Sequence, residues 1–170
     1  IKRYEKEKQV LLRVRQLTVQ EMGLVGSQEA FDVLLQIANT DTDSTLRATA
    51  VRAMGRTEFL QFGAEALVAL TACEQTPMVE AAIASLYGMQ YPELEGVLHD
   101  LCESEQPKVA GQAVAYLSYL GTEKALQTVH ELLKHPTASV RYRAYKGLRS
   151  LESGPPLNAM VAAATDENRS

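Results

Sequence analysis

Apolar residues recur along the chain in a ten-residue motif that returns five times. The five copies begin at positions 14, 46, 79, 109 and 140, so the interval between neighbours is 30 to 33 residues. Within the second copy, Leu46, Ala50, Val51 and Met54 have the spacing of one helical face. A helical motif that returns at this interval predicts a stack of one repeated supersecondary unit. The copies read VRQLTVQEMG, LRATAVRAMG, VEAAIASLYG, VAGQAVAYLS and VRYRAYKGLR.

A second helix with similar periodicity is predicted between successive motifs, beginning near Phe31, Ala66, Leu94, Ala125 and Leu157. We call this the A helix and the motif the B helix. Turns that contain Asp, Thr, Ser or Pro separate A from B, and they supply side chains suited to helix starts. Glycines near the ends of four motifs predict helix C-caps, and the small residues Ala50, Ala113 and Ala144 predict close packing between helices. The predicted C-caps are Gly23, Gly55, Gly88 and Gly121.

The A–turn–B unit resembles the HEAT repeats, especially the short phycobilisome-lyase type with the signature Val-Arg-x-x-Ala-x-x-Ala-Leu-Gly. The second motif matches this signature best, through Leu46–Arg47, Ala50 and Gly55, and the fifth matches through Val140–Arg141 and Ala144. The third and fourth motifs depart from it, with Glu80 and Ala110 in the arginine position. The resemblance implies an all-α, right-handed α-α superhelix of about five repeats, with the B helices on its inner, concave face.

Composition adds only broad limits. The chain has 170 residues, of which 46% are hydrophobic, and a net charge of −4 that disfavours a general nucleic-acid binder. We expect residues 1–170 to form one HEAT-like domain, a fragment of a longer protein, because the chain opens without Met and its first element is a B helix. Without an 18-residue apolar run or a visible signal peptide, a cytoplasmic location is expected.

Tyrosines and basic residues of the fourth and fifth motifs are the best candidates for a partner-binding site. Three of the tyrosines lie off the apolar face of their motif, whereas Tyr87 and Tyr145 lie on that face and are expected in the core. Exposed tyrosine gives large contact area at low entropic cost, and the local positive charge favours an acidic or amphipathic segment of another protein. Tyrosines that merely cover neighbouring helices remain an alternative, as does a solvated basic face. The candidate residues are Tyr116, Tyr119, Tyr142, Arg143 and Lys146.

No residue cluster in the sequence indicates catalysis, a metal or a cofactor. His99 and His130 occupy equivalent A-helix positions, which predicts solvated histidines on the outer surface. Cys73 and Cys102 are expected to be free thiols, and Arg47 is expected to pair with Asp41 or Asp43. We therefore predict a non-enzymatic protein–protein interaction scaffold without cofactors. A phycobilin lyase-like or chaperone-like role, and nucleic-acid binding through the basic last B helix, remain alternatives.

Overall fold

The computed structural model describes residues 2–152, with side chains from residue 6 onward except at positions 57, 139 and 150–152. Every regular element in this range is helical, and the described part divides between two compact units, Ile1–Tyr91 and Pro92–Ser170. The all-α repeat fold predicted from the sequence is confirmed. The A helix predicted at residues 157–164 lies outside the described residues.

The first unit contains three B helices and two A helices: α1 Lys2–Met22, α2 Gln28–Thr40, α3 Ser44–Ala53, α4 Leu60–Leu70 and α5 Thr76–Gly88. The B helices α1, α3 and α5 pack side by side, with α3 between the other two, and the A helices α2 and α4 pack against α3 and α5 respectively. A short 3-10 turn, Thr57–Phe59, precedes α4 and places Phe59 in the core.

The second unit alternates A and B helices: α6 Leu94–Leu101, α7 Pro107–Leu120, α8 Glu123–Leu132 and α9 Ala138–Glu152. The B helix α7 is its centre, because α7 contacts both A helices, α6 and α8, as well as the B helix α9. Ala113 of α7 and Ala144 of α9 are fully buried, as expected for close-packing positions.

Helix starts follow the turn chemistry of the sequence. The Asp43 carboxylate accepts hydrogen bonds from the backbone N–H groups of Thr45 and Leu46, at 2.8 and 2.9 Å. This satisfies two of the backbone donors that every helix start leaves unpaired. Pro77 and Pro107 lie in the first turns of α5 and α7, where a missing N–H costs nothing.

Two of the glycines that end the motifs have a role in helix packing that the sequence did not predict. Only Gly121 is a left-handed C-cap, with φ of 63°. Gly23 and Gly55 instead let neighbouring B helices approach: a Cβ atom on Gly55 would lie 2.5 Å from Cβ of Ser85, and one on Gly23 would lie 2.7 Å from the Ala53 carbonyl oxygen. Gly88 lies inside the last turn of α5. Gly23 and Gly55 do lie at the ends of α1 and α3, as predicted, but without the left-handed backbone of Gly121.

An apolar stripe on α1 faces solvent. Val14 is 53% exposed, whereas Leu46, the first residue of the next motif, is 1% exposed. Val10, Leu11 and Leu17 are exposed beside Val14, while α1 packs on α2 and α3. We call these four residues the α1 stripe.

Candidate functional site

One face of α7 is shaped as a shallow depression with large residues at its ends. Lys108, Gly111, Ala115 and Tyr119 are spaced i, i+3, i+7 and i+11, so they lie on one side of the helix. The two small residues are in the middle. At about 1.5 Å rise per residue, this row is roughly 16 Å long.

The opposite wall comes from α9, and the two helices enclose a groove of about 580 Å³. Gly147 brings α9 close to α7, because a Cβ atom there would lie 2.8 Å from Oγ of Ser118 and 3.0 Å from Cγ1 of Val114. The groove volume falls within the range of about 300–1,000 Å³ that is typical of ligand sites. Its lining residues are Pro107, Lys108, Gly111, Ala115, Tyr119, Tyr142, Arg143, Lys146 and Gly147.

Gly111 differs from Gly147 because the helix packing does not require it. A Cβ atom on Gly111 would meet nothing closer than Cδ of Arg143, at 3.7 Å, which is an ordinary contact. Glycine inside a helix lowers stability by roughly 0.5–1 kcal/mol relative to alanine. Gly111 therefore keeps space open in the groove at some cost to α7.

Basic residues line this groove, and the two helices that form it carry almost no acidic residues. Helix α7 carries no acidic residue and α9 carries only Glu152, although the chain as a whole has 21 acidic and 17 basic residues. Lys108, Arg143 and Lys146 form no ion pair with any residue of the described range. The groove is thus electrostatically suited to a negatively charged ligand.

The structure brings four of the five predicted site residues together. Tyr119, Tyr142, Arg143 and Lys146 line the groove, and Tyr142 is 62% exposed. Tyr116 does not line it; its ring packs edge-on against Tyr119, with centroids 5.9 Å apart and an interplanar angle of 81°. Tyr116 therefore supports the groove wall from outside.

The core prediction for Tyr145 is wrong, since this side chain is 56% exposed. Equivalent stripe residues of earlier motifs, Val51 and Val114, are fully buried. No helix within residues 2–152 follows α9 to cover Tyr145 in the same way. Tyr87, the other tyrosine expected in the core, is half-buried.

Arg47 and Arg141 both bind backbone carbonyls, so the carboxylate partner predicted for Arg47 is wrong. Nε of Arg47 donates to the carbonyl oxygen of Ala38 at 2.6 Å, near the end of α2. Nη1 of Arg141 donates to the carbonyl oxygens of His135 and Pro136, at 2.7 and 2.6 Å. Both guanidinium groups thus satisfy carbonyls at or just beyond the C-terminus of the preceding A helix. Asp41 pairs with Arg15 instead.

The histidines show no metal-binding arrangement. His99 and His130 are both exposed; His99 lies 3.5 Å from the Asp100 carboxylate, and Nδ1 of His130 lies 2.8 Å from the Leu126 carbonyl oxygen. In the part of the chain with described side chains, no three His, Cys, Asp or Glu residues are grouped so that they could hold a metal ion. Nor does any described helix have the length and apolar character needed to cross a membrane.

The two cysteines are free and differ in environment. Cys73 is half-buried, whereas Cys102 is buried at the end of α6. Burial, together with the nearby Glu103 carboxylate, raises the pKa of Cys102 to about 12. Cys102 is therefore an unreactive, protonated thiol at neutral pH.

We expect the native protein to show one fast thiol. At mildly alkaline pH, an aromatic disulfide reagent should modify Cys73 first. Cys102 should react only when denaturant exposes it, because the attacking species is the thiolate and the raised pKa keeps Cys102 protonated. Absorbance of the released thiol measures both phases. In a Cys73→Ala variant the fast phase should disappear; two thiols that react at one rate in the native wild type would contradict this assignment.

Solved structures of three designed or engineered proteins are similar to this chain. Two designed armadillo repeat proteins are similar to this chain, one of them solved in complex with the peptide (KR)4; they are 15% and 16% identical to it, with TM-scores of 0.44 and 0.39. Each alignment covers 88% of this chain, and 90% and 91% of the respective designed chains. An engineered protein is 20% identical over 74% of this chain, with a TM-score of 0.44, and the alignment spans 64% of that protein's length.

No curated protein matches the sequence. The HEAT-repeat family matches it three times, over residues 12–87, 65–149 and 94–170. Because these matches together extend from residue 12 to the last residue, the chain belongs to the HEAT-repeat family.

Proposed function

We propose that this protein is a protein-binding scaffold, and that the surface formed by α7 and α9 binds an acidic or amphipathic segment of another protein. The observation that carries the proposal is the groove between these helices. It joins exposed tyrosine surface to three cations that have no ion-pair partner in the described range. We also propose that this surface lies on the inner face of the superhelix.

The two kinds of side chain would contribute differently. Tyr119 and Tyr142 offer flat apolar rings with a polar end, which is the chemistry common in protein interfaces. Arg143 can form two parallel hydrogen bonds to one carboxylate, whereas Lys146 acts as a compact charge. Tyr116 acts through Tyr119, since the two rings are in edge-to-face contact. Its removal should let the Tyr119 ring turn away from the groove.

The experiment begins with a random peptide library that is displayed on phage and selected against the full chain. We expect the recovered peptides to be enriched in aspartate and glutamate. The double variant Tyr116→Ala, Arg143→Ala should bind these peptides about 30-fold more weakly, a loss of about 2 kcal/mol. Its helical circular dichroism spectrum should not change, because Tyr116 is only half-buried and Arg143 borders an open groove.

A second double variant, Tyr145→Ala, Lys134→Ala, is the matched control. It also removes one tyrosine and one exposed cation, but neither residue lines the groove. This control should bind the selected peptides as the wild type does. Recovery of peptides without acidic enrichment, or wild-type affinity in the Tyr116/Arg143 variant, would refute the proposed site. If the wild-type protein bound duplex DNA as tightly as the selected peptides, a nucleic-acid role would be favoured instead.

A further inference from the structure

The middle of the groove differs in chemistry from its rim. Gly111 and Ala115 expose backbone and one methyl group, and the stem of Arg143 lies against Gly111 through Cδ and Cγ. Tyr119 and Tyr142 add aromatic surface. This part of the groove therefore offers apolar contact, while Lys108 of α7 and Arg143 and Lys146 of α9 add positive charge to the lining.

A purely charged ligand would leave that apolar surface unfilled. Burying apolar area is favourable in proportion to the area removed from water, and acidic groups alone would gain nothing from the depression. An occupant that matches both parts carries an apolar side chain between carboxylates. The groove is roughly 16 Å long along α7, which is enough for about five extended residues.

We propose that the depression at Gly111 and Ala115 is a subsite that receives one large apolar side chain, such as leucine, from an acidic segment. Carboxylates that flank this side chain in the segment meet Arg143 and Lys146 on one wall and Lys108 at the groove's end. This inference rests on the proposed function, because it specifies the segment that the α7–α9 surface binds.

Gly111 supplies a direct test of the subsite. Because a Cβ at Gly111 meets only ordinary contacts, we expect a Gly111→Leu variant to keep the helix packing and to place its own side chain in the depression. Gly96 of α6 is the matched control, since a Cβ there meets no atom within 4 Å and the residue is exposed. Both changes replace a helical glycine by leucine, but only one fills the groove.

The probes are fluorescein-labelled acidic peptides of about seven residues, and fluorescence anisotropy measures their affinity for the full chain. The first has leucine at its centre, the second has alanine there, and the third keeps leucine but has amides in place of the carboxylates. We expect the leucine peptide to bind at least about tenfold more tightly than either of the others. Gly111→Leu should lose at least about tenfold in affinity for it, while Gly96→Leu binds as the wild type does.

The outcomes separate the subsite from the function on which it rests. If the alanine peptide binds as tightly as the leucine peptide, or if Gly111→Leu binds normally, the subsite is wrong while an acidic-segment function stands. If none of the acidic peptides binds, both are wrong. Should Gly111→Leu unfold, the comparison of the leucine and alanine peptides on the wild type still decides the question.

Discussion

Replacing Phe59 by alanine should lower the free energy of unfolding by about 3–5 kcal/mol. Phe59 is fully buried, and its ring centroid lies 5.5 Å from that of Phe31 and 5.8 Å from that of Phe62. Truncation removes the transfer free energy of the ring and leaves a cavity that a turn held between two helices cannot close. Urea unfolding followed by circular dichroism measures the change.

Phe62 is the control for this prediction, because it belongs to the same aromatic cluster but is 38% exposed. A Phe62→Ala variant should therefore lose clearly less stability than Phe59→Ala. Equal losses in the two variants would mean that the turn at Thr57–Phe59 does not anchor the core as the structure indicates.

Replacing Gly55 by valine should lower the free energy of unfolding by about 3 kcal/mol. The new Cβ would lie 2.5 Å from Cβ of Ser85 and 2.6 Å from its Cα, so α5 must move away from α3. That movement would also strain the hydrogen bond from Oγ of Ser85 to the Val51 carbonyl oxygen, which is 2.9 Å long. Chemical unfolding again gives the measurement.

The control here is a Gly96→Ala variant, which adds a Cβ atom in open space. It should be neutral or slightly stabilising, since alanine favours a helix by roughly 0.5–1 kcal/mol over glycine. A Gly55→Val protein as stable as the wild type would show that α3 and α5 can move apart at little cost in stability. Gly55 would then not be needed for their contact.

Much of the fold could be predicted because helices and repeats leave strong periodic signals. The stripe beginning at Leu46 and the cap at Asp43 are local patterns, and both are present in the structure. The role of Gly55 could not be read in the same way, because it depends on Ser85, thirty residues away. Local sequence does not distinguish a glycine that ends a helix from one that lets a second helix approach.

The partners of Arg47 show the same limit for polar contacts. Asp41 and Asp43 are nearby in sequence, but one pairs with Arg15 and the other caps α3. The guanidinium therefore binds a carbonyl group of the preceding helix. Every residue carries such a carbonyl, so no residue type in the sequence identifies the partner.

The residues of the candidate groove were predicted in part, and the misses have geometric causes. Tyr142 and Arg143 carry recognisable chemistry, whereas the depression is made by Gly111 and Ala115, whose importance lies in the side-chain atoms that they lack. Tyr116 follows Ala115 directly, and one step along a helix turns a side chain by about 100°. That rotation takes it off the groove wall. A glycine in the interior of α7 is the signal that could have located the groove.

The α1 stripe gives the protein a second surface that responds to salt in the opposite sense. Simple salts screen exposed charges, so they would weaken the proposed attraction of an acidic segment to Arg143 and Lys146. Sulfate, by contrast, strengthens association through apolar surface, such as that of Val10 and Val14. Added sulfate would therefore favour any contact made through the α1 stripe while it weakens the proposed binding of an acidic segment.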